Sequence, residues 1–220
     1  MLDKSSIEYW VFDLDNTLYP SENNLFSQID KRMGNFISRQ FDLPLGEAKA
    51  LQKKYFQTYG TTLRGLMTEH DIPPQDFLTY VHDIDFDVLD RNDALRQAIN
   101  SLDGVKVIYT NASRDYAEKV MEKIGIAGLF EDIFDITSAG YIPKPDPRSY
   151  HKMIREMNID PSRSVMVEDI ARNLVPASDM GMKTVWVPTG HEWSGAGASA
   201  EHIDFTAPDL VAWLKSLVED

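Results

Sequence analysis

Four short runs of β-branched and aromatic residues punctuate the chain, at 7–12, 105–109, 164–167 and 184–187. Runs of this length, closed by polar residues or proline, read as buried strands. Between them, apolar positions recur with a helical period at 115–124, 147–157, 171–180 and 208–218, and Gly125 and Gly181 stop the first and third of these. Strands alternating with helices of such length predict an α/β fold built on a mostly parallel, doubly wound sheet.

Residues 19–91 break the alternation. Segments 25–41, 45–59, 63–70 and 75–81 all carry helical periodicity, and none reads as a strand. This predicts an inserted α-helical domain over 19–91, with a core domain formed by 1–18 and 92–220. Pro20 and the acidic stretch 83–93 mark its edges. The Gly/Ser/Ala-rich segment 190–200 is expected to be a mobile loop.

A chain of 220 residues has room for one or two domains of this kind. Its net charge of −13 opposes the broad attraction to phosphate backbones on which nucleic-acid binders rely, so a nucleic-acid polymer is not an expected partner. A small anionic substrate held by a local positive pocket remains compatible with that charge. The absence of cysteine removes thiol nucleophiles, disulfides and zinc-thiolate sites. The five histidines form no HExxH pattern, so any metal would be held by oxygen. With no secretory leader and no apolar run near twenty residues, the expected location is the cytoplasm, away from membranes. The sequence leaves the oligomeric state undetermined.

In an open α/β sheet, ligands bind beyond the carboxyl ends of the strands. Three of the predicted strands end there in suitable chemistry: Asp13 and Asp15, then Thr110 and Asn111, then Glu168 and Asp169. Lys144, in a proline-flanked loop, adds a cation. Each element alone is ordinary, since an acidic strand end is usually a turn or a helix cap. Their coincidence is not. Magnesium prefers a few carboxylates plus a substrate phosphate, and Asp13, Asp169 and one backbone carbonyl can supply that shell. Four carboxylates in one crevice carry a formal −4, which a divalent cation and Lys144 reduce to −1 and a proton on Asp15 brings to zero. A protonated Asp15 is also what a general acid requires. The Thr110 hydroxyl can hold phosphoryl oxygens while Lys144 offsets developing charge.

The segments Phe12-Asp13-Leu14-Asp15-Asn16-Thr17-Leu18, Tyr109-Thr110-Asn111, Lys144-Pro145 and Val167-Glu168-Asp169 resemble, in this order, the four motifs of the haloacid dehalogenase superfamily. The resemblance implies a Rossmann-like core and a helical cap of subfamily I. It implies an aspartate nucleophile at Asp13, an acid/base at Asp15, phosphate binding at Thr110 and charge neutralisation at Lys144. It also implies a Mg²⁺ site from Asp13, Asp169 and the Asp15 carbonyl, with Glu168 acting through a water. The implied activity is hydrolysis of a small phosphorylated metabolite through an aspartyl-phosphate. The Asp-Leu-Asp-Asn-Thr-Leu-Tyr variant at 13–19 and the segment 59–66 resemble the pyrimidine 5′-nucleotidase group, with Arg64 and Asn111 as expected substrate contacts. Rival readings are a sugar-phosphate phosphatase or phosphomutase of the same fold, a carbon-halogen hydrolase, and a phospho-accepting signalling or interaction module. The carbon-halogen reaction does not call for Asp15 and the Glu168–Asp169 pair.

Overall fold

The computed structural model describes residue 2 and residues 6–217, so Val218, the last position of the expected terminal helix, lies outside it. Strands β1 (Tyr9–Phe12), β2 (Val105–Tyr109), β3 (Asp132–Phe134), β4 (Ser164–Glu168), β5 (Lys183–Trp186) and β6 (Phe205–Thr206) form one sheet in the order β3-β2-β1-β4-β5-β6. Every pairing is parallel. The expected Rossmann-like architecture is therefore present, and the chain reverses direction across the sheet at β1, where it passes from β3 back to β4.

Residue alternation explains the two layers. Trp10 and Phe12 of β1, Ile108 of β2, and Val165 and Val167 of β4 bury on one face, while Val11, Val107, Tyr109 and Met166 bury on the other. Helices α7 (Pro147–Glu156) and α8 (Leu174–Asp179) cover the second face through Tyr150, Met153, Leu174 and Ala177. Helices α5 (Asp93–Asn100), α6 (Arg114–Ile124) and α9 (Leu210–Ser216) cover the first through Leu95, Ile99, Tyr116, Val120 and Leu214.

Between β1 and α5 the chain forms only helices: a 3₁₀ turn, then α1 (Leu25–Phe41), α2 (Leu45–Tyr59), α3 (Thr62–His70) and α4 (Pro74–Val81). α1 packs on α2 and α4, and α2 packs on α3. Phe36 meets Phe77 edge to face at 5.2 Å. Their buried residues, among them Leu25, Ile37, Leu66 and Phe77, belong to the same apolar cluster as the first face of the sheet.

Four differences from the sequence reading have physical causes. β3 and β6 are three and two residues long, too short to show a period. α5 follows the acidic stretch and is capped by the Asn92 side chain, which accepts from Leu95 N at 2.9 Å. The predicted helix 171–180 splits into a 3₁₀ turn at Ala171–Asn173 and α8, with Pro176 tolerated in the first helical turn, where no N–H is needed. Segment 190–200 is tied down at its middle, because Ser194 is buried and its carbonyl accepts from Ala171 N at 2.8 Å.

Candidate active site

The carboxyl ends of β1, β2 and β4 bring four distant segments together. Asp13 leaves β1 with its N–H bonded to the Val167 carbonyl at 2.9 Å, which carries the loop across to β4. Lys144 is 2% exposed and reaches in from the loop before α7. Its Nζ lies 2.6 Å from Asp13 Oδ1 and 2.9 Å from Glu168 Oε1, and it donates to the Tyr109 carbonyl at 2.9 Å. Three acceptors satisfy the three ammonium hydrogens. Burial alone would lower the Lys144 pKa, but Asp13 and Glu168 outweigh it and hold the group protonated, well above its ordinary range.

The same burial acts oppositely on the acids. It pushes Asp13 up to about 7, against the pull of Lys144 and with repulsion from Glu168 adding to it. Thr17 donates to Asp13 Oδ2 at 2.9 Å and fixes the carboxylate plane. Glu168 is buried too, yet its pKa is lowered, because Lys144, a hydrogen bond from Asp169, the Ile170 N–H at 2.7 Å and the Asn173 amide at 2.5 Å overcome desolvation. Both Glu168 oxygens are thereby engaged.

Asp169 hydrogen-bonds to Glu168, and that bond favours its own protonated form. Its buried Oδ2 has no hydrogen-bond partner, and burial followed by the charges of Glu168 and Asp13 raises its pKa well above the ordinary value. Its backbone carbonyl, by contrast, accepts from Trp186 Nε1 at 2.8 Å and Ser194 Oγ at 2.5 Å. Oxygens of Asp13, Glu168 and Asp169 lie within 4.8 Å of one another. An unpartnered buried carboxylate oxygen beside two further carboxylates is a donor set for a hard divalent cation, so the residues fit magnesium.

Asp15 stands apart from that acidic group. Its Oδ1 accepts from Tyr19 at 2.5 Å and from Tyr116 at 2.6 Å. Burial raises the Asp15 pKa, and the two hydroxyl donors offset that only in part. Burial likewise raises both tyrosine pKa values, keeping them as donors. Thr110, 1% exposed, uses its Oγ1 to accept from Ala112 N at 3.0 Å, which leaves its hydroxyl hydrogen available.

Asn111, expected to touch substrate, spends both ends of its amide on Lys144. Its Oδ1 accepts from Lys144 N at 2.9 Å, and its Nδ2 faces the Lys144 carbonyl at 3.4 Å. That braces the lysine loop. Arg64, in the first turn of α3, lies close enough to Asp146 to lower the carboxyl's pKa, as a lesser influence after the adjacent Arg148. Gly60, just before α3, sits against the Lys144 carbonyl, where an added Cβ would lie 3.3 Å away. The sequence alone assigns no role to Thr17, Tyr19, Tyr116 or Ser194. Thr17 and Tyr19 lie inside the first motif and Asn173 lies five residues past Glu168, whereas Tyr116 and Ser194 join the site across 101 and 25 positions.

Residues 7–181 match the family model for haloacid dehalogenase-like hydrolases. The chain is 27% identical over 189 residues, 78% of its length, to Phosphate metabolism protein 8 of Saccharomyces cerevisiae, and 28% identical over 105 residues, 46% of its length, to Validoxylamine A 7′-phosphate phosphatase of Streptomyces hygroscopicus. These matches span only 58% and 48% of the two relatives. Among solved structures, a haloacid dehalogenase-type phosphatase from Thermococcus onnurineus superposes with a TM-score of 0.63 at 16% identity, over 96% of this chain and 98% of that one. The L-2-haloacid dehalogenase of Xanthobacter autotrophicus superposes at 0.58 with 14% identity, over 96% and 98%. Those two likenesses establish the fold. With 7–181 covered by the family model, the chain belongs to the haloacid dehalogenase-like hydrolases.

Proposed function

We propose that the protein is a phosphomonoesterase that hydrolyses small phosphorylated metabolites through an aspartyl-phosphate on Asp13. The observation that carries this reading is the cluster of Asp13, Glu168 and Asp169 around an ammonium group, with a second acid, Asp15, two residues further along the first loop. A dehalogenase also needs the first aspartate, but it calls for no metal-binding second carboxylate. The phosphatase name of one relative and the phosphate-metabolism name of the other point the same way.

In this reading an oxygen of the Asp13 carboxylate attacks the phosphorus. The bond to the leaving oxygen breaks as Asp15 passes that oxygen its proton. Water then attacks the phosphoryl group, gives a proton to Asp15, and releases inorganic phosphate and the Asp13 carboxylate. The Thr110 hydroxyl hydrogen and loop N–H groups hold phosphoryl oxygens, and Lys144 offsets the charge that shifts during transfer. Asp13, Asp169 and the Asp15 carbonyl would hold magnesium, with Glu168 at one remove because its own oxygens are engaged. When bound, the ion would supply positive charge that relieves carboxylate repulsion and neutralises the substrate phosphate.

Helices α1–α4 act as a cap domain over residues 19–91, on a core of 1–18 and 92–220. The proposed substrate is a pyrimidine nucleoside 5′-monophosphate, with Arg64 on the cap facing the leaving group. The test is a panel of nucleoside 5′-monophosphates, sugar phosphates, a small acyl phosphate and a 2-haloacid, each assayed with and without Mg²⁺. Phosphate release that requires Mg²⁺ and is fastest with pyrimidine nucleotides supports the reading. Halide release without phosphate release would overturn it, and preference for sugar phosphates would overturn the nucleotide assignment alone.

A further inference from the structure

The tyrosine pair at Asp15 has no part in the chemistry described above, yet it is the tightest polar arrangement around that residue. Tyr19 comes from the first loop, and Tyr116 comes from α6, 101 positions away from Asp15 in sequence. Both hydroxyls converge on the same oxygen, Oδ1, at 2.5 and 2.6 Å, and lie 3.2 Å from each other. Tyr116 is itself held from the other side. The His82 ring, at the C-terminal end of α4, stacks on it with centroids 4.4 Å apart and planes at 21°. His82 Nδ1 is in turn 3.0 Å from Ser113 Oγ, at the start of α6.

A carboxyl oxygen that accepts two hydrogen bonds has spent its lone-pair directions, so the carboxyl proton belongs on the other oxygen. We infer that Tyr116, clamped by His82 and assisted by Tyr19, is a positioning residue that fixes Asp15 with Oδ2 as the oxygen delivering the proton to the leaving group. The arrangement also links that acid to the helical insertion, because His82 belongs to the end of α4 and Tyr116 to the sheet's own layer. The inference rests on the proposed phosphatase reaction.

Leaving-group chemistry separates this role from a structural one. An alkyl phosphate expels a strongly basic alkoxide and needs the proton, whereas an aryl phosphate with an acidic phenol leaves with little help. Tyr116→Phe keeps the ring and its stack on His82 and removes only the hydroxyl. kcat/KM would be measured for an alkyl phosphate and for p-nitrophenyl phosphate in wild type, Tyr116→Phe and Tyr19→Phe, all with Mg²⁺. Tyr116→Phe is expected to raise the aryl-to-alkyl ratio at least about tenfold, chiefly through kcat for the alkyl ester, within the range general acids contribute. Tyr19→Phe should move the ratio in the same direction, and it provides the test if Tyr116→Phe does not fold. A ratio unchanged within about twofold in the folded variants, whether both activities fall together or neither falls, overturns the positioning role. A wild-type enzyme that releases phosphate from neither ester would overturn the phosphatase reading, and the inference with it.

Discussion

At the scale of single residues, Lys144 decides whether the site can exist. It holds two buried carboxylates that would otherwise repel each other, and its three hydrogens are all used. Removing one member of such an ion pair leaves uncompensated buried charge, which typically costs about 3–5 kcal/mol. Lys144→Met should therefore lower unfolding free energy by that order in urea denaturation, and a loss below about 1 kcal/mol would contradict the pairing. Asp13→Asn is the converse case. The amide keeps the volume, and Lys144 retains Glu168, so circular dichroism should show an intact fold while phosphate release drops by about 10³-fold or more.

At the scale of elements, α6 shows how a distant loop completes a helix. Its N-cap Ser113 makes no side-chain capping bond, and Asp135, just after β3, accepts instead from Arg114 N at 3.0 Å and from Ser138 N at 2.8 Å. Burial tends to raise the Asp135 pKa, but these N–H donors and the nearby hydroxyls prevail and bring it below 3.8. A depressed carboxyl contributes its stability above the unfolded value and loses it as pH falls through the folded one. Asp135→Ala should thus cost about 1–2 kcal/mol at neutral pH, with the gap to wild type closing below about pH 4. A gap that widened on acidification would have the wrong sign. The α2–α3 contact makes a second test. A Cβ on Gly65 would sit 2.4 Å from Tyr55 Cγ, so Gly65→Ala should destabilise by about 1–3 kcal/mol, although the same change in an open helix stabilises by up to about 1 kcal/mol.

These elements also show what the sequence could reveal. β1, β2, β4 and β5 and the helices of the insertion announced themselves because periodicity is a local property; Asp13, Thr110 and Asp169 stand out because each directly follows such a strand, and Lys144 because it sits between two prolines ahead of α7. β3 and β6 were not, being shorter than any readable period. α5 was readable in Leu95, Ala98 and Ile99 but was obscured by the acidic stretch before it. Tyr116 on Asp15, Asp135 on α6 and Ser194 on Asp169 are pairings between segments remote in sequence, and only folding brings them together. The bonds between the Asn111 amide and Lys144 likewise cross 33 positions.

At the scale of the whole molecule, the crevice stores unfavourable charge that a cation would relieve. Among the described residues no helix is long and apolar enough to cross a membrane. Mg²⁺ at a hundredfold excess over its dissociation constant should stabilise the protein by about 2.7 kcal/mol, read as a rise in Tm that chelation reverses. Asp169→Asn, which replaces the carboxylate with the unpartnered oxygen, should remove most of that rise without lowering Tm in metal-free buffer. A variant that kept the full Mg²⁺ response would place the cation elsewhere. The central claim is a covalent phosphoryl group on Asp13, and the direct measurement is mass spectrometry of enzyme quenched in acid during turnover of a phosphate ester with Mg²⁺. The prediction is a phosphoryl adduct confined to the peptide carrying Asp13 and lost in Asp13→Asn. Phosphate release at the wild-type rate by Asp13→Asn, or an adduct on another residue, would contradict it.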